Sequence, residues 1–144
     1  MDMYQYLFLI TTLWIGPFWG LMLVKTDSIK TKKIMDGNLF FFVPVLVWFI
    51  LFTSNFDDFI FLFQNSQEGL IESISNGLST EIGFVATWSH IVIGDIFVTR
   101  WIWRDSYKYR RHKTLRKLAI FFGVILMPLG VILNIMFRKY LKNN

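Results

Sequence analysis

The chain has 144 residues, of which 54% are hydrophobic, 19% aromatic and 17% charged. A soluble domain averages about 45–50% apolar and about 25% charged residues, and a fold this small leaves too much surface wet to hide the surplus in one core, so a bilayer is the natural solvent. The net charge is +5, yet the fifteen Lys and Arg are gathered in clusters between apolar runs; this pattern excludes a nucleic-acid surface and fits membrane-flanking loops, and the absence of cysteine excludes a disulfide framework and a thiolate metal site.

The first apolar run, Tyr4 to Val24, carries no charge and is long enough to cross roughly 30 Å of hydrocarbon. Gly16-Pro17 in its middle predicts a kink, tolerated where neighbours re-satisfy the freed carbonyl. Met1-Asp2-Met3-Tyr4 lacks a basic n-region and a small-residue cleavage site, so the run is expected to be retained. The second run, Leu39 to Thr53, is apolar but short for a span; it either extends through Phe56-Asp57-Asp58-Phe59 into Ile60–Phe63 or bends there. The third, Ile82 to Trp103, contains His90, Asp95 and Arg100. The fourth, Leu118 to Phe137, is interrupted by Pro128 and bears Asn134. The expected fold is therefore all-α: one polytopic integral membrane domain over residues 1–144, a bundle of about four transmembrane helices with spans near 4–24, 39–53, 82–103 and 118–137.

The loops alternate in sign. Residues 25–38 hold Lys25, Lys30, Lys32 and Lys33, and residues 104–117 hold seven basic side chains. Residues 54–81 hold Asp57, Asp58, Glu68, Glu72 and Glu81 and no base. The positive-inside rule places the two basic loops on the cytoplasmic or stromal side. Arg138, Lys139 and Lys142 in the tail argue the other way, three against eleven. Within the acidic loop, Leu70, Ile71, Ile74 and Leu78 recur at helical spacing and predict a short amphipathic helix. It either rests on the membrane face or packs as an ordinary loop helix. For the basic 104–117 loop, headgroup attraction suffices as an account.

The chemistry concentrates in the third run. A carboxylate near mid-span costs roughly 2.5–3.5 kcal/mol on insertion scales, so Asp95 must face a protein interior, take a partner or bind a proton. At 100° per residue, His90 and Asp95 lie about 140° apart around a helix, as do Asp95 and Arg100. They form one pocket only if other helices close round them. Gly94 beside Asp95 would admit a close backbone or a flat ligand. For Asp95 the readings are a proton donor, base or ligand anchor against a structural polar contact between helices. For His90 they are an acid/base group, a pigment or metal ligand, or a hydrogen-bonded packing residue. Arg100 near the inner rim reads as a snorkelling side chain, with a counter-ion to Asp95 or Asp105 as the sharper alternative. Trp14, Trp19, Trp48, Trp101 and Trp103 read as interface belt and packing. Two histidines with scattered acids make a poor metal set, and no phosphate-binding glycine loop is present.

The pattern His90-x4-Asp95-x-Phe97-x2-Arg100-x4-Asp105, preceded by Trp88, is accompanied by Pro17-Phe18 in the first run and Pro128-x-Gly130 in the fourth. Together these resemble the abscisic-acid-deficient-four-like family of small plastid and bacterial membrane proteins, over nearly the whole chain. The plant member is required for making neoxanthin from violaxanthin, so the resemblance implies a role in xanthophyll metabolism. The basic loop and the early first run point to a bacterial or organelle-encoded member, in a bacterial inner membrane or a thylakoid or plastid membrane. Conversion of a 5,6-epoxide to an allenic alcohol is an isomerisation; it needs an acid at the epoxide oxygen and a base at a polyene carbon, and no redox cofactor. The resemblance then implies Asp95 as acid and His90 as base or orienting partner, with Trp88, Gly94, Phe97, Arg100 and Asp105 contacting the substrate.

Two function classes follow. One is a cofactor-free carotenoid isomerase whose apolar isoprenoid substrate enters from the lipid. The other is a non-enzymatic pigment- or lipid-binding subunit or assembly factor, in which His90 offers a ring nitrogen to a chlorophyll magnesium. The expected partners are the bilayer and an isoprenoid or pigment ligand, with a homo-oligomer or a larger membrane complex as the assembly. A small transporter is set lower for want of inverted repeats and a polar path.

Overall fold

A computed structural model describes residues 2–57, 60, 69–109 and 111–142, and every regular element among them is a helix. In chain order these are α1 (Met3–Val24), α2 (Ile29–Asp36), α3 (Leu39–Ser54), α4 (Leu70–Leu78), α5 (Glu81–Lys108), α6 (Lys113–Ile125) and α7 (Met127–Lys142). Three segments are long and apolar enough to cross a membrane: Met3–Val24, Ile29–Ser54 and Glu81–Lys108. That is one fewer than the four expected. The proposed extension of the second run through residues 56–63 falls largely on residues 58–59 and 61–63, which lie outside the described residues. The amphipathic helix expected between Leu70 and Leu78 is α4.

The helices begin and end where the side chains allow. The Asp2 carboxylate accepts the amide of Gln5 at 2.8 Å, satisfying one of the orphan donors at the start of α1. Ser28 caps α2 by accepting the amide of Lys30 at 3.3 Å. Pro17 and Pro44 lie inside α1 and α3; each lacks an N–H and so leaves the carbonyl four residues earlier without its helical donor. For Pro44 that carbonyl belongs to Phe40, and it accepts the indole N–H of Trp14 at 3.2 Å. In hydrocarbon, where no water can do so, this is how a broken helical bond is re-satisfied.

The chain divides into two compact units, Met1–Leu13 with Phe41–Ile93, and Trp14–Phe40 with Gly94–Asn144. In the first, Val47, Leu51 and Val85 are buried, and Tyr4, Leu7, Phe8, Val43 and Ala86 pack against them. The ring of Phe8 lies 5.9 Å from Phe84 and 5.2 Å from Trp88. The Trp88 indole donates to the Thr12 hydroxyl at 2.8 Å, and that hydroxyl donates to the Phe8 carbonyl at 2.8 Å. One hydroxyl thus serves as acceptor and donor at once.

In the second unit, the fourth expected span is replaced by a hairpin. Helix α6 stops at Leu126, and Pro128 sits in the first turn of α7, where its missing N–H costs nothing. A Cβ on Gly130 would lie 2.3 Å from the Gly123 Cα and 2.9 Å from the Ala119 carbonyl oxygen. Farther from the turn, Arg111 bonds Asn134 and Arg138 bonds Tyr109. These pairings widen in sequence about one centre, so α6 and α7 run antiparallel. The 13-residue α6 measures about 20 Å, and the apolar part of α7, Met127–Arg138, about 18 Å. Neither reaches across roughly 30 Å; apolar segments of this length are re-entrant or buried. The interruption noted at Pro128 is a reversal, made possible by two glycines that let the backbones touch.

Candidate functional site

Helix α5 carries all the polar residues singled out from sequence. It passes from the first unit to the second between Ile93 and Gly94, so His90 belongs to one and Asp95 to the other. His90 is exposed, with its ring 6.3 Å from that of Trp48, which stacks on Phe52 at 5.0 Å. Among the described residues no hydrogen bond reaches the His90 imidazole. Trp88 is half-buried and held by Phe8 and Thr12.

Asp95 is half-buried near the middle of α5. Its backbone carbonyl accepts the Thr99 hydroxyl at 2.8 Å, and that hydroxyl accepts the Trp19 indole N–H at 3.1 Å. Its carboxylate receives neither a hydrogen bond nor an ion pair from any described residue. A Cβ added at Gly94 would meet nothing within 4 Å, so no other backbone among the described residues approaches that position. Phe97 is exposed.

Arg100 answers neither Asp95 nor Asp105. Its guanidinium crosses to the end of α2 and donates to the carbonyls of Met35 at 2.7 Å, Asp36 at 3.3 Å and Gly37 at 3.0 Å, and to the Asn38 side chain at 3.1 Å. It also lies over the Phe40 ring at 5.1 Å. A helix leaves its last carbonyls unpaired, and this fork collects them from outside. One turn on, Arg104 meets the Asp36 carboxylate at 3.2 Å.

Asp105 is buried and accepts from Arg111 at 2.7 Å and from the Asn134 amide at 3.1 Å, while Arg111 also donates to Asn134. All three side chains are less than a tenth exposed. Burial pushes the Arg111 guanidinium below its ordinary value, and the Asp105 carboxylate opposes that shift. Nearby, Asp27 receives Arg116 at 2.7 Å, Lys113 at 3.7 Å and the Tyr107 hydroxyl at 3.0 Å. Partial burial raises the Asp27 carboxyl, but the Tyr107 hydrogen bond and the charges of Arg116 and Lys113 outweigh it and hold the group below the usual carboxylate value. Among the described residues no three His, Asp or Glu come together as a metal-binding group.

Sequence reasoning missed the ion cluster around Asp27 and the Asp105–Arg111–Asn134 ring. The signal for the ring was a lone Asn134 in an apolar run, which needs a partner. The signal for the Phe40 contact was a third internal proline, Pro44, with an indole available on the first helix.

Three helical segments long and apolar enough to cross a membrane, with a carboxyl in the last of them that has no partner among the described residues, define the class: a small helical protein with the makings of a polytopic membrane bundle. The family model for ABA DEFICIENT 4-like proteins matches residues 6–133, and the chain belongs to that family. It is similar to Protein ABA DEFICIENT 4, chloroplastic, of Arabidopsis thaliana, with 22% identity over 142 residues, 94% of this chain and 62% of the relative. The chain therefore spans less than two thirds of that protein's length. No solved structure matches it.

Proposed function

We propose that the chain is a membrane-embedded protein of xanthophyll metabolism that isomerises an epoxy-carotenoid, with Asp95 as proton donor and His90 as base. Family membership supports the xanthophyll role. The observation that carries the chemistry is the Asp95 carboxyl, half-buried mid-helix in an apolar segment and with no partner among the described residues. An unanswered ionisable group at that depth is costly, and the other acid and base of the motif, Asp105 and Arg100, are already engaged. Trp88, Gly94 and Phe97 are the remaining candidates for substrate contact.

In this reading the Asp95 proton passes to the epoxide oxygen as one ring C–O bond opens, leaving an alcohol. A proton leaves the neighbouring polyene carbon to the base, and its C–H electrons complete the allene. One proton is given and one taken, so the reaction needs no oxidant or reductant. A water-poor site prevents capture of the opened cation by water. Because His90 and Asp95 leave the helix about 140° apart, Asp95 is the group on which the proposal stands and His90 the second.

The test is pigment chromatography of a bacterial host making epoxy-carotenoids, with the wild-type gene, Asp95→Asn and His90→Ala. A new isomer of unchanged mass that disappears with Asp95→Asn supports the proposal. Unchanged product from the Asp95→Asn, His90→Ala double variant sinks it. The exposed imidazole of His90, with no hydrogen bond among the described residues, favours a second reading, a pigment-binding subunit. Under it, pigment co-purifies with the protein, is lost with His90→Ala and persists with Asp95→Asn.

A further inference from the structure

We propose that the start of α6 holds one anionic phospholipid, its phosphate on Lys113 and Lys117 and its acyl chain along Leu23, Leu118 and Phe121. An open surface groove of about 630 Å³ is lined by these residues in the second unit. The spacing of Lys117 and Leu118 after Lys113, followed by Phe121, puts them on adjoining stripes of one helix face. That face changes from cationic to apolar within two turns. Its first turn contains no acidic residue, and the helix N-terminus adds its own partial positive charge.

The local charge is not cancelled internally. Asp27 is shared between Arg116 and Lys113, and Lys117 has no ion-pair partner among the described residues. Beyond the lysines, Leu118 and Phe121 remain exposed. Their direction along α6 is toward the hairpin turn, the apolar end of the pair. A soluble anion would use the lysines and leave that apolar wall bare. A phospholipid with a net negative headgroup uses both. General attraction of a basic loop to a charged surface treats every lysine alike; a built site singles out Lys117 over Lys30 or Lys33.

Native mass spectrometry of the full chain, released from nanodiscs of phosphatidylcholine with phosphatidylglycerol, reads the bound lipid directly. The wild type is expected to retain one phosphatidylglycerol. Lys117→Gln, which breaks no internal ion pair, weakens retention about five-fold, the worth of one interfacial lysine. Leu118→Ser weakens it as well, and Lys30→Gln with Lys33→Gln leaves it unchanged. Melting curves of Lys117→Gln matching wild type keep the comparison free of misfolding. Equal losses from Lys117→Gln and the Lys30/Lys33 pair overturn the proposal, as does competition by soluble glycerophosphate as effective as the lipid itself.

Discussion

Asp105, Arg111 and Asn134 close a ring of hydrogen bonds away from water, and the energetics of such a ring are asymmetric. The intact ion pair adds little net stability because both charges were desolvated to make it, whereas removing one partner strands the other. Arg111→Leu is therefore expected to cost about 3–5 kcal/mol, and Asn134→Leu about 1–3 kcal/mol through the unsatisfied groups it leaves. Denaturation in detergent, followed by circular dichroism, reads both. At Asp27 the effect is one of pH. Its folded pKa is lowered, so its contribution is fully present above the unfolded carboxylate value of about 3.9. It is lost as pH falls through the lower folded value. Melting temperatures of wild type and Asp27→Asn, measured from pH 6 to pH 3, should differ at the upper end and converge at the acid end. The difference should be modest and should shrink with salt, because the carboxylate is 46% exposed. A constant gap across the range contradicts the assignment.

Two glycines distinguish what helices can and cannot tolerate. A methyl at Gly130 would have to displace the Gly123 backbone, and overpacking of this kind costs about 1–3 kcal/mol. A methyl at Gly94 meets nothing, so Gly94→Ala gains helix propensity of up to about 1 kcal/mol. Thermal melts of the two variants should move in opposite directions. If Gly94→Ala also abolishes product formation while the protein remains stable, the open space at Gly94 is substrate space. Periodicity and charge made α1, α4 and α5 legible, because an uncharged run and a strict apolar stripe each admit few conformations. The α6–α7 hairpin was not legible. Leu118–Phe137 has the length and hydropathy of a span, and only the Gly123–Gly130 contact and the need of Asn134 for Asp105 and Arg111 turn it back. Asp95 could be picked out as an acid in the middle of an apolar run. The tertiary partners of Arg100 could not, because the carbonyls at the end of α2 lie more than sixty residues away in sequence.

For the whole molecule, the hairpin changes the charge arithmetic. If the three apolar segments each cross and the hairpin returns, the tail is expected on the same side as the two basic loops, where Arg138, Lys139 and Lys142 would no longer oppose the positive-inside rule. The chain has no cysteine, so single cysteines report sidedness without background. In sealed vesicles, Lys33→Cys and Lys142→Cys should react with an impermeant maleimide from the same side, and Ser75→Cys from the other. Labelling of Lys142→Cys together with Ser75→Cys would restore the fourth span.

The central claim is that Asp95 protonates an epoxide, and purified protein tests it without other enzymes present. Wild type and Asp95→Asn would be reconstituted in liposomes with a 5,6-epoxy-carotenoid, and the allenic isomer followed by chromatography over time. The account predicts product from wild type and a rate at least about 100-fold lower from Asp95→Asn, the span of a general-acid contribution, with both proteins melting alike. Equal rates from the two, or an intact wild type that binds the carotenoid and never converts it, would contradict it.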